Sequence, residues 1–369
     1  MCMQNLADSR EMLYTRRFAA NTKAGIYMQF FGTEVKSFNM EITNKCTLGC
    51  LECPRTGNPW VLKNLTDLPL ELIRQTFPQE KAADFAGMKI NLCGAYGDCI
   101  YHKQFHEVIA YLKQVGFHIL IETNGSYKKQ AWWERTCEIL GDDDSVIFSV
   151  DGLRDTNPLY RVHSDWDSIV TAMKTCAPRV KTNWKFIVFK HNEGQLEEAR
   201  QLAESLNIHS ITFKKSARFR EVDELAPENL EFIGTAAQNR RKVVEFIDSK
   251  NPVADFDNNV CIKQRCFSGK DIAITALGYL FPCTSCESED RSSWFNANAE
   301  HFNLRQYTIR EILNSPKWAE LEQLWQKAST APKSCLSYCG VHNEFSQNYI
   351  SESRPDRPHK PDDTLSYEF

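Results

Sequence analysis

SFNMEITNKCTLGCLEC, residues 37–53, joins a β-prone run to three cysteines spaced C-x3-C-x2-C. SFNMEI (37–42) reads as a strand, and Cys46, Cys50 and Cys53 fall in the loop directly after it. The rhythm continues downstream in MKINL (88–92), HILIE (118–122), SVIFSV (145–150), NWKFIVF (183–189) and HSITF (209–213). Longer segments with helical spacing separate these runs. Phe105, Val108, Ile109 and Leu112 share one helical face, as do Leu196, Ala199, Leu202 and Ala203. Six strand–helix units in succession predict a parallel α/β sheet. Six are too few for a closed eight-stranded barrel, which leaves a partial barrel or a doubly wound sheet.

Parallel α/β folds collect their chemistry where strands end at the C-terminal side. The unusual segments all fall there: TNKCTLGCLEC (43–53), CGAYGDC (93–99), TNGS (123–126), SVDG (149–152), KHN (190–192) and KKSAR (214–218). One rim therefore carries them all. Taken singly, TNG and SVDG are good turn sequences in any protein.

Composition sets the broad class. At 369 residues, with 42% apolar and 25% charged residues, the chain suits one large domain plus a smaller one. A net charge of -4 gives no global field favouring nucleic acid, and Arg10, Arg16, Arg17 and Lys23 read as a solvated basic face. No apolar run approaches the roughly 18 residues of a membrane span, and the first residues lack a signal peptide's apolar core. A cytoplasmic, membrane-free protein is the expectation.

Fourteen cysteines, clustered in a chain with no export signal, point to metal binding rather than a disulfide framework. Three lie within 46–53 and six after 260. Cys137 and Cys176 sit on apolar-patterned helical segments and read as core packing. Three thiolates can hold three irons of a cubane and leave the fourth open to a small molecule. The rival is a zinc site, but zinc calls for a fourth ligand, and no Cys or His follows at finger or ribbon spacing.

With its rim context, this loop resembles the radical S-adenosylmethionine (SAM) superfamily over residues 37 to about 220. The resemblance implies a partial (β/α)6 TIM-like barrel and a SAM-binding [4Fe–4S] cluster on Cys46, Cys50 and Cys53. It also implies that SAM chelates the open iron, and that a reductant such as flavodoxin or ferredoxin supplies one electron. SAM is then cleaved to methionine and a 5′-deoxyadenosyl radical that abstracts a substrate hydrogen. CGAYGDC looks like the family's glycine-rich turn, with Gly94 and Gly97 permitting close approach to the ligand and Asp98 where the family usually has Glu. Ser149 and Asp151 resemble positions that bond the SAM ribose, and Arg161 is the candidate partner of the SAM carboxylate. Glu52 departs from the pattern, standing where an aromatic residue often lies near the adenine; Tyr96 or Trp60 are candidate substitutes.

Beyond a helical connector (221–258), residues 259–345 read as a small cysteine-rich domain, flanked by an N-terminal extension (1–36) and a loose polar tail (346–369). Cys266 and Cys283 bracket a hairpin-like pair around Leu277-Gly278, and Cys335 and Cys339 follow in a loop ending at Gly340. Four thiolates there suit zinc or a second, auxiliary [4Fe–4S] cluster, with Cys261 and Cys286 as possible replacements. The C-x11-G-x4-C hairpin resembles the twitch/SPASM extension, the shorter twitch version fitting better. That resemblance implies an oxidative maturase acting on a peptide or protein side chain, or alternatively a small-molecule (sugar or aminocyclitol) dehydrogenase or epimerase. A non-catalytic zinc- or cluster-binding scaffold is the reading from a different class. Cys99 and Cys286 are the candidate hydrogen donors that an epimerase would need; closed ligation at the auxiliary site would instead favour net oxidation.

Overall fold

After a short antiparallel pair, β1 (Gln29–Phe30) and β2 (Thr33–Glu34), six strands lie side by side in chain order. They are β3 (Ser37–Met40), β4 (Lys89–Leu92), β5 (His118–Thr123), β6 (Ser145–Ser149), β7 (Lys181–Val188) and β8 (Ser210–Lys215), all parallel. Helices Leu70–Thr76, Phe105–Val115, Gln130–Ile139, Trp166–Cys176 and Leu196–Ser205 return the chain between successive strands. The order never reverses, so there is no switch point of the doubly wound kind. The partial barrel expected from sequence is the observed architecture. This computed structural model describes residues 29–30, 33–215, 224–232, 243, 257–264, 266, 272–286, 293–342 and 364–368. The connector, apart from short pieces such as the 3-10 turn Leu230–Phe232, lies outside the described residues, as does most of the N-terminal extension.

Strand alternation divides the sheet into two unlike faces. Phe38 and Met40, Ile90 and Leu92, Ile119 and Ile121, Val146 and Phe148, Trp184 and Phe186, and Ile211 and Phe213 point to the helices and form one buried core. Phe77 meets Phe38, Phe85 and Phe117 edge-on at 5.0–5.3 Å, contacts of about 0.5–1.5 kcal/mol each beyond their burial. The helix faces read from sequence are the ones buried: Phe105, Val108, Ile109 and Leu112 are 2% exposed or less. Gly116, with φ 98°, then ends that helix in the left-handed conformation. Cys137 and Cys176 are buried in this core, where their sulfurs meet at 3.7 Å. The opposite face mixes polar residues such as Asn39, Glu122 and Lys185 with Leu120, Ile147 and Ile187, most of them half-buried.

The C-terminal region is less separate than the sequence suggested. β9 (Val260–Ile262) pairs with β12 (Gly340–His342), but β10 (Ile272–Ile274) runs parallel to β3, extending the main sheet. β11 (Leu280–Phe281) follows it as the predicted hairpin, turning at Gly278 with φ 81°. Their apolar residues belong to the same core as the barrel strands. At the other edge, β13 (Thr364–Glu368) runs antiparallel to β8, so the end of the predicted loose tail is a strand. Its pairing covers backbone groups that an edge strand would otherwise expose. Among the described residues no helix is long and apolar enough to cross a membrane.

Candidate active site

The loop after β3 is built to hold three thiols still. Arg55 reaches back across it, donating to the carbonyls of Leu48 (3.1 Å) and Cys46 (2.6 Å). The Gly49 and Leu51 amides donate to the carbonyls of Val162 and Tyr160, at 2.9 and 3.3 Å. Those two bonds bracket Arg161 and set it opposite Cys50. Cys46 Sγ accepts from the Leu48 amide (3.5 Å) and from Asn124 Nδ2 (3.6 Å), donors suited to a sulfur carrying negative charge. Burial, then Asp98, pushes the Cys46 thiol up to about 12, and burial also raises Cys50, with Arg161 opposing. Buried thiols of this kind become ligands when a cation compensates them. Three soft sulfur donors on one short loop fit an open iron–sulfur cubane. Among the described residues no three His, Cys, Asp or Glu side chains surround one point as a single ion requires.

The glycine turn works differently from its sequence reading. A Cβ on Gly94 would lie 2.1 Å from Glu41 Oε1, and one on Gly97 would lie 1.8 Å from the Thr43 carbonyl oxygen. The close approach these glycines allow is thus to β3 and the cysteine loop. Glu41, unnoticed in the sequence, organises the turn by accepting the Tyr96 and Gly97 amides at 2.7 and 2.8 Å. Its burial raises the carboxyl's pKa against those amides and that of Ala276. Gly97→Ala should therefore cost about 3 kcal/mol or more, since backbone must move. Gly94→Ala should cost less, because the Glu41 side chain can swing aside. Denaturant midpoints of the two variants check that order.

Asp98 is buried and accepts from the Ile100 amide, Thr123 Oγ1, and the Asn124 amide and side chain. Burial, opposed by these bonds, raises its pKa to about 6. It binds the second rim loop to the third and holds Asn124 toward Cys46. Asp151 is equally committed: Oδ1 accepts the Ile187 amide and Oδ2 accepts Arg161 Nε, both at 2.7 Å. Both carboxylates, read as ligand contacts, are engaged within the chain. Ser149 donates to Glu122 at 3.0 Å. Of the expected SAM contacts, Arg161 is the one whose terminal nitrogens have no hydrogen-bond partner among the described residues, its Nε alone being bonded to Asp151. Burial opposes its charge, but Asp151, Cys50 and Tyr160 outweigh that and its pKa is raised.

The aromatic surface is also elsewhere than expected. Tyr96 is buried, with its backbone amide bonded to Glu41, and Trp60 lies in the helix Pro59–Lys63. Tyr160 and Phe189, with centroids 4.3 Å apart, pack with Leu48 and Cys50, and His191 stacks on Phe189 at 5.5 Å. No local motif marks this wall; it assembles from the ends of two different strand–helix units.

Cys99 faces the helix-side core, 3% exposed, its sulfur toward the Glu122 carbonyl at 3.8 Å. That position is wrong for a hydrogen donor on the rim. The thiol on the open face is Cys93, one residue past β4.

The second cluster gathers five cysteines, not four, around a cavity of about 150 Å³ that Trp325 also lines: Cys266, Cys283, Cys286, Cys335 and Cys339. Of the two replacement candidates, Cys286 lines this cavity, whereas Cys261 lies on β9 outside the lining. Cys286 Sγ lies 3.7 Å from Cys283 Sγ and shares a thiol hydrogen bond with Cys335. Its hydrogen bond lowers the Cys283 thiol to about 7, while burial raises Cys266 well above the ordinary range. Cys335 and Cys339 sit on the helix Lys333–Cys339, not in a loop, and their four-residue spacing presents both on one side.

No family model and no curated protein sequence matches the chain. Solved structures do. Native anSMEcpe with bound AdoMet superposes with a TM-score of 0.53 at 13% identity, over 83% of this chain and 88% of that one. SuiB from Streptococcus suis, bound to S-adenosylmethionine, gives 0.53 at 13% identity, over 90% and 75%. A further anSMEcpe structure, with AdoMet and a Cp18Cys peptide, gives 0.52 at 13%, over 83% and 88%. The chain has the fold of these S-adenosylmethionine-bound proteins, seen here as a half-barrel of parallel strands.

Proposed function

We propose that the chain is a radical SAM enzyme acting oxidatively on a peptide or protein side chain. The observation that carries the reading is the arrangement of Cys46, Cys50 and Cys53 opposite Arg161 on the rim of this half-barrel. A [4Fe–4S] cluster held there would supply the electron that splits SAM. The chain's own residues do the rest. Arg161, fixed through Nε by Asp151, offers both terminal nitrogens to the SAM carboxylate. Tyr160 and Phe189 exclude water beside Cys50. Peptide chemistry is favoured by the peptide held in the structure of anSMEcpe. A small-molecule dehydrogenase or epimerase is the second reading, supported by the polar residues on the inner face of the sheet. Five thiols gathered at the second cavity, Cys266 and Cys286 among them buried, support an auxiliary cluster that accepts an electron from the substrate radical.

Metal analysis after anaerobic reconstitution tests both sites. Wild type is expected to carry about eight irons, and the triple variant Cys46→Ala/Cys50→Ala/Cys53→Ala about four, one cubane's complement each. Zinc in place of the residual iron would make the second site structural and remove electron acceptance from Cys266, Cys283, Cys335 and Cys339.

A further inference from the structure

The face of the sheet turned from the helices carries Asn39 and Glu41, Asn91 and Cys93, Glu122, Ser149, Asn183 and Lys185, and Thr212 and Lys214, at alternate strand positions. A surface meant only for packing would be apolar. Asn39 and Asn91, register partners on β3 and β4, each leave a buried Oδ1 without a hydrogen-bond partner among the described residues. Across the face, Glu122 on β5 forms an ion pair with Lys185 on β7 and accepts from Ser149. Lys214 on β8 stands next to that pair and forms no ion pair or hydrogen bond with any described residue. Burial, and then the Lys185 ammonium, hold its pKa below the usual lysine range.

Counting charge decides what would fit. Beside Lys214 the Lys185 and Glu122 charges cancel, while Glu41, at the β3 edge of the face, is engaged by the Tyr96 and Gly97 amides. Lys214 is left as a half-buried ammonium with no ion-pair partner among the described residues, just beneath the rim. An unpaired buried charge is costly and persists where a ligand completes it.

We propose that Lys214, backed by the Lys185–Glu122 pair, binds a single carboxylate of the substrate on this inner face. A monoanionic group matches the one missing charge; a phosphate dianion would exceed it. The carboxylate thereby fixes the substrate by one end below the rim, leaving its other end toward the cysteine loop. This inference rests on the enzymatic reading above, and its test does not use SAM cleavage. Wild type that fails to cleave SAM would overturn that reading and leave the result below standing.

The probe is reductive methylation of the full chain by deuterated formaldehyde and cyanoborohydride, mapped by peptide mass spectrometry. Acetate and succinate should slow labelling of Lys214 about tenfold or more at saturation, with surface lysines unchanged. Acetamide should give no protection. Stronger protection by inorganic phosphate than by either carboxylate would overturn the assignment in favour of a phosphate site. Equal labelling with and without every anion, or no labelling at all, would also sink it. A second arm uses Lys214→Met. If the lysine is kept for a ligand, removing the unpaired ammonium should raise the thermal midpoint of the ligand-free protein. A fall would make Lys214 a structural residue and overturn the proposal.

Discussion

Replacing Cys46, Cys50 or Cys53 by alanine is expected to abolish formation of 5′-deoxyadenosine from S-adenosylmethionine after anaerobic dithionite reduction, read by chromatography. Each thiol is a third of the donor set, and a cubane bound by two thiolates of one loop has two uncapped irons. A loss beyond about a hundredfold follows, because the electron has no other route to SAM. The variants should stay folded. The loop is held by Arg55 on the Leu48 and Cys46 carbonyls and by the Gly49 and Leu51 amides, none of which uses a sulfur. Undiminished product from any one of the three would remove that cysteine from the ligand set and the proposed function with it.

Arg161→Ala should be costly in a different way. Asp151 is fully buried, and the guanidinium is its only cationic partner among the described residues. Taking one member from a buried pair leaves the other charge unsolvated, a loss of about 3–5 kcal/mol. Urea unfolding would show it as a lower midpoint with an unchanged slope. Arg161→Lys separates the two tasks of this side chain. A lysine can still neutralise Asp151 but cannot present a planar fork to a second carboxylate. Much of the stability should return while the Kd for SAM stays raised about tenfold or more, the loss of a charge-assisted bond. Recovery of tight SAM binding with lysine would show that Arg161 serves the fold alone.

Much of this architecture was legible in the residues. Six β-prone runs and the helical spacing between them gave strands within one or two residues of those observed, because each period is enforced by one apolar face. The cysteine loop was legible because its residues are contiguous. What stayed hidden depends on contacts between distant segments. Asp98 and Asp151 look like ligand contacts in sequence; only the fold shows their oxygens filled by Thr123, Asn124, Ile187 and Arg161. Cys99 and Cys93 are separated by an intervening turn that puts them on opposite sides of the sheet, which spacing alone does not resolve. The inner polar face did leave a signal, in the polar residues alternating with apolar ones through NMEI, KINL and WKFIV, but it reads as ordinary strand alternation until one face is known to pack on helices.

β10 lies against β3, with the Glu41 amide donating to the Ile274 carbonyl at 2.8 Å. β3 runs straight into the first cysteine loop, and β10 leads through its hairpin to Cys283. The two cysteine sites therefore hang from neighbouring strands of one sheet, and opening either strand breaks the same ladder. Their backbone amides are therefore expected to exchange as one cooperative unit, so that metal bound at the distal cavity should slow local opening at the rim loop as well.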